Sequence, residues 1–124
     1  MPIIFGVALG GALGASARYG VDRLIEQRTS SVFPWSTFTI NVTGCFLIGL
    51  LTSVLVERQH LPAWVRVGLV VGVVGGYTTF STFAQEALEV GEVHHVAIAL
   101  AYIAASVTIG IAAVYAGTVL GRAI

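Results

Sequence analysis

The stretch GGYTTFSTFAQE, Gly75 to Glu86, decides how this chain is read. It closes an apolar run, yet it sets hydroxyls at Thr78, Thr79, Ser81 and Thr82 around two phenylalanines. In an unbroken membrane helix a single such hydroxyl returns its hydrogen bond to the carbonyl three or four residues back. Four of them in five positions, just after a glycine pair, point elsewhere. Gly75 and Gly76 loosen the helix, and the hydroxyls cap the backbone groups that a break sets free. Irregular backbone at membrane depth is tolerated only where it is buried in protein or lines an aqueous cavity. The stretch therefore predicts a broken third membrane helix with a binding site at the break.

Its surroundings supply the membrane. Of 124 residues, 56% are hydrophobic and only 10% charged, against roughly 25% charged in a soluble domain, and the mean hydropathy is +0.92. Uncharged runs extend from Met1 to Ala17, Thr29 to Val56, Val67 to Gln85 and Val93 to Gly121. Each is near or beyond the ~20 residues that a helix needs to cross a core of ~30 Å. The chain reads as an all-α, multi-pass membrane protein, one four-helix transmembrane domain over residues 1–124. The N-terminus lacks a basic segment and a clear cleavage site, so the first run reads as a span rather than a cleaved leader.

The expected spans are Ile3 to about Val21, Phe33 to Val56, a third from Val67, and about Val93 to Leu120. A loop from Asp22 to Val32, a polar connection from Glu57 to Arg66, and an acidic loop carrying Glu86, Glu89 and Glu92 separate them. Phe33-Pro34-Trp35 marks the start of the second span, with aromatics at headgroup depth and proline in the first turn, where its missing N–H costs nothing. Small residues recur at four-residue spacing in Gly6/Gly10/Gly14, Gly68/Gly72/Gly76 and Ala113/Gly117/Gly121. Such seams let helices approach closely, and there are more of them than four helices use within one monomer, which predicts oligomerisation.

Orientation follows the Lys/Arg asymmetry of short loops. There is no lysine, and an even number of spans puts Arg58, Arg66 and Arg122 on one face and Arg18, Arg23 and Arg28 on the other. That tie predicts insertion both ways up, hence an antiparallel, dual-topology homodimer with its axis in the membrane plane. Zero formal net charge without a basic patch excludes nucleic acid as a partner.

At the break, carbonyls around Gly75 and Thr78 are hard oxygen ligands suited to a hard cation, whereas hydroxyls and freed N–H groups suit an anion. Phe80 and Phe83, at i and i+3, share a face if that segment is helical. Their ring edges are electropositive, so in a narrow passage they favour a small anion. Asn41 places a side-chain amide inside the second span, where it needs a partner. Thr37 and Thr39, with Tyr102 and Ser106 in the fourth span, extend a line of donors. Arg18 either snorkels to the headgroups or draws anions toward a vestibule. Cys45, the single cysteine, reads as a packing residue. No carboxylate or histidine falls inside the first three spans, no His/Cys cluster suits a metal, and His94-His95 reads as an interfacial pair. This inventory argues against an enzyme.

GGYTTFSTFAQE resembles the third-helix signature of the Fluc (CrcB) fluoride channel family. TFTINVTG (Thr37 to Gly44) resembles its second-helix asparagine motif, and GALGASARYG (Gly11 to Gly20) its first-helix segment ending in arginine. The resemblance spans essentially the whole chain. It implies a dual-topology homodimer in the cell membrane (the inner membrane of a diderm host), passive fluoride export, and two antiparallel pores flanking a structural sodium ion. It also implies Phe80 and Phe83 as pore-lining phenylalanines, Asn41 as the pore asparagine, Ser81 and Thr82 as the adjacent polar track, Gly75 and Thr78 as carbonyl donors to sodium, and Arg18 as a vestibule arginine. Gly110 departs from members that carry a hydroxyl there. The alternatives are a proton-coupled exporter of the small multidrug type, which needs a carboxylate inside the first helix where Met1 to Val21 has none, and a non-conducting membrane assembly subunit.

Overall fold

The computed structural model describes residues 1–57 and 60–124, so Arg58 of the arginine tally lies outside the described residues. Helix α1 spans Ile3–Glu26 and α2 spans Trp35–Glu57. The third crossing is composite: α3 (Ala63–Val67), a π-helix (Gly68–Val74), the short α4 (Gly75–Tyr77), two extended residues, then α5 (Phe80–Val93). Helix α6 (Val96–Ala123) completes the bundle, and no strand occurs among the described residues. Four stretches are long and apolar enough to cross a bilayer: Ile3–Glu26, Trp35–Leu55, Ala63–Val93 and Val96–Ala123.

The glycine seams explain which helices pair. α2 packs mainly on α6, and α1 on the π-helix and α4. Gly10 of α1 lies so close to the third crossing that a Cβ there would strike the Gly68 carbonyl, and a Cβ at Gly117 of α6 would strike the Phe46 carbonyl of α2. Backbone obstructs both positions, and backbone does not swing aside as a side chain does. The glycines thus let helices meet at main-chain distance, where packing rather than hydrophobic burial holds membrane helices together.

Two boundaries differ from the sequence reading. α1 runs through Asp22, Arg23 and Glu26 instead of ending near Val21. The exposed pair Arg23 and Glu26, at 3.7 Å, and a hydrogen bond from Ser36 Oγ to Asp22 Oδ1 accommodate these charges on the helix. The expected acidic loop is also helix: Glu86, Glu89 and Glu92 all lie on α5. The connection to α6 is only the exposed turn at His94-His95. Polarity there follows helix faces, which a scan for uncharged runs does not see.

Candidate functional site

The third crossing breaks at Thr78 (φ −80°, ψ 159°) and Thr79 (φ −149°, ψ 117°), both extended. Thr78 behaves as an ordinary membrane hydroxyl residue: its N–H and Oγ1 donate to the Val74 carbonyl at 3.0 and 3.1 Å. At Thr79 the ladder stops. Its N–H, which in a continuing helix would close on Gly75, instead donates to Asn41 Oδ1 at 2.9 Å, while Asn41 Nδ2 donates to the Thr79 carbonyl at 2.9 Å. One side-chain amide thus satisfies both main-chain groups of an extended residue, as a neighbouring strand would. The Gly75 carbonyl is released from its helical partner.

Thr79 also starts the next helix. Its Oγ1 accepts from the Thr82 N–H at 3.4 Å and donates to Thr82 Oγ1 at 3.0 Å, an N-cap for α5. On the other side of the break, Tyr77 OH and Thr43 Oγ1 lie 2.9 Å apart, tying α4 to α2.

A cleft of about 380 Å³ opens on the break. Asn41, Gly75, Thr78, Phe80, Phe83 and Ser106 line it, so the structure brings these six sequence-selected residues together. Cys45 lines it as well. The Phe80 and Phe83 ring centroids are 5.7 Å apart and tilted at 46°. Phe80 is 79% exposed, although it lies within a membrane span. Ser106 Oγ is buried without a hydrogen-bond partner among the described residues. That orphaned donor beside a cavity is the kind of buried polar atom that calls for a ligand.

Arg18 and Thr82 line a second, smaller pocket of about 240 Å³, together with Asp22, Thr37 and Thr79. Thr79 belongs to both cavities. Ser81 is exposed and lines neither. Tyr102 is fully buried and lines neither cavity, its ring 5.0 Å from that of Phe83.

Sequence reasoning missed the partner of Tyr102. The tyrosine OH donates to Glu86 Oε2 at 2.9 Å, and Thr37 Oγ1 donates to Glu86 Oε1 at 2.9 Å. A carboxylate therefore does sit inside the third crossing, correcting the expectation that none does, and it fastens α5 to both α2 and α6. The available signal was spacing: once a helix starts at Phe80, Glu86 falls on the face of Phe83. Among the described residues no group of His, Cys, Asp and Glu side chains is placed to hold a metal.

Fold and site define a helical membrane protein whose interrupted span lines a mainly apolar cleft into which a few polar groups, among them Asn41 and Ser106, project. The family model described as CrcB-like protein, Camphor Resistance (CrcB), matches residues 5–118, and the chain belongs to that family. A protein of Acidobacterium capsulatum named fluoride-specific ion channel FluC is 50% identical over 119 residues, which cover 95% of this chain and 94% of the relative. Relatives of the same name from Rhizobium meliloti and Flavobacterium psychrophilum are 45% and 36% identical, covering 94% and 98% of both chains respectively. These named relatives are ion channels, not enzymes.

Proposed function

We propose that this chain is a fluoride-selective channel that lets cytoplasmic fluoride leave passively across the cell membrane, the inner membrane in a diderm host. The observation that carries the reading is the cleft at the break. There the Asn41 amide, the unpartnered Ser106 hydroxyl and the Phe80 and Phe83 ring edges converge beside backbone taken out of the helical ladder. Fluoride is small and tightly hydrated, so replacing its water takes several donors in a narrow space, and a constriction discriminates against larger chloride. Asn41 Nδ2 has a second N–H beyond the one given to Thr79, and this is the donor assigned to fluoride. Arg18, in the adjoining pocket, gathers anions. Thr82, in the Arg18 pocket, extends the polar track, and Tyr102 orders it from behind through Phe83 and Glu86.

The assembly is an antiparallel homodimer with two pores. Phe80, largely exposed within a span that also carries polar groups, fits a surface completed by a second copy rather than by lipid. The same surface suits a structural sodium ion. The Gly75 carbonyl is out of the ladder, and a Cβ at Gly75 would meet nothing within 4 Å, so packing inside the monomer does not demand glycine there. Carbonyls of Gly75 and Thr78 are the hard oxygens such a cation takes, and a second copy doubles their number. The ion would contribute fixed positive charge between the protomers.

Fluoride release from liposomes, read by a fluoride electrode with chloride as control and no pH gradient, tests the function. Fluoride loss far exceeding chloride loss supports it. Release that requires a proton gradient favours the small multidrug-type exporter, and no release favours an assembly subunit.

A further inference from the structure

We infer, on the reading of this chain as a fluoride channel, that the groove between α2 and α6 continues beyond the cleft to a second anion-gathering mouth. Arg122, Thr118, Thr52 and Ser53 build it, at the end of the bundle opposite to Arg18. Three cavities follow one another along α2. Thr37 and Ile40 line the Arg18 pocket, Asn41 to Ile48 the cleft, and Ile48 to Ser53 a third cavity of about 410 Å³. Neighbouring cavities share a wall residue, Thr79 in the first case and Ile48 in the second. At 1.5 Å per residue the α2 backbone rises about 24 Å from Thr37 to Ser53, most of a hydrocarbon core of ~30 Å.

α6 supplies the facing wall. Ser106, Gly110, Val114, Thr118 and Arg122 recur every fourth residue, a row that winds about 40° around the helix at each step, so neighbouring members share a wall while the two ends face different cavities. Ser106 lines the cleft, while Val114, Thr118 and Arg122 line the third cavity. The hydroxyls there are not all spent on their own helices. Ser53 returns a bond to the Gly49 carbonyl four residues back, but among the described residues Thr52 and Thr118 make no such bond. A Cβ at Gly49 would strike the Val114 carbonyl, so α2 and α6 meet at main-chain distance beside Thr118. A cation with free hydroxyls at a mouth raises local anion concentration. A unit charge about 7 Å from the ion, in water-like surroundings, does so about two- to three-fold.

Two variants in liposomes test the mouth. Arg122→Gln should lower fluoride efflux about two- to three-fold at about 0.01 M ionic strength and match the parent at about 1 M, where the screening length has shrunk from about 30 to about 3 Å. Thr118→Cys, made in a Cys45→Ser parent and compared with it, should react with an anionic methanethiosulfonate reagent and lose most of its fluoride flux. No reaction, or reaction without loss of flux, overturns the inference, as does an Arg122→Gln flux equal to the parent's at both salts. A deficit unaffected by salt and seen only in phosphatidylglycerol-containing vesicles places lipid phosphate at Arg122 and also overturns it. If the parent itself releases no fluoride, the channel reading fails and the mouth with it; a conducting parent with unresponsive variants removes the mouth alone.

Discussion

Replacing Asn41 by alanine removes both partners of Thr79 at once. Thr79 is only 9% exposed, so its N–H and carbonyl, each held at 2.9 Å in the parent, have little access to water. An orphaned buried group costs about 1–3 kcal/mol, so the two together put the loss at about 2–6 kcal/mol. The chain has one local escape, which is to return the Thr79 N–H to the Gly75 carbonyl and heal the helix. That would remove the extended residues and with them the mouth of the cleft. Either course gives an Asn41→Ala protein that unfolds at lower denaturant in mixed micelles and releases little fluoride from liposomes. Asn41→Asp separates the roles: its carboxylate still accepts from the Thr79 N–H but faces the Thr79 carbonyl with an oxygen, so it should be nearly as damaging. An Asn41→Ala protein with the parent's stability and the parent's flux would refute the reasoning.

Other outcomes follow from the same geometry. Phe80→Ile should leave folding intact, because the ring is largely exposed, and should cut fluoride flux by about tenfold or more, equivalent to about 1.4 kcal/mol of barrier; unchanged flux removes the ring-edge argument. Glu86→Ala strands the Thr37 and Tyr102 hydroxyls and should cost about 2–6 kcal/mol in micelle unfolding, whereas Glu86→Gln, which still accepts one bond, should cost less. Gly117→Val drives a side chain into the Phe46 carbonyl and should yield aggregated protein on gel filtration, while Gly75→Ala, with open space around it in the monomer, should fold normally and lose sodium-dependent stability instead. Single cysteines at Arg23 and Arg122, on opposite faces, should both label from outside in whole cells if the chain inserts both ways.

The broken span was legible because a glycine pair followed by hydroxyls is a local departure from a continuous apolar helix, although the amide that holds the break open, Asn41, comes from α2. The residues lining the cleft were legible for the same reason, since Asn41, Phe80 and Ser106 are conspicuous inside apolar runs. What Asn41 binds was not, because the Thr79 main chain offers no side-chain signature and lies 38 positions away. The helical state of Glu86 was hidden by treating a charge as the end of a span, although Thr37 and Tyr102, from two other helices, satisfy it. The π-helix over Gly68–Val74 likewise has no marker in residue type. The Arg122 mouth depends on α2 and α6 lying in register, which spacing along either helix alone does not reveal.

The most direct measurement is the reversal potential of purified protein in a planar bilayer under a tenfold fluoride gradient, with equal chloride and equal pH on both sides. A passive, fluoride-selective pore gives current that reverses at about 59 mV, and adding a pH gradient leaves that value unmoved. A reversal near zero, or one that follows the pH gradient, would contradict it.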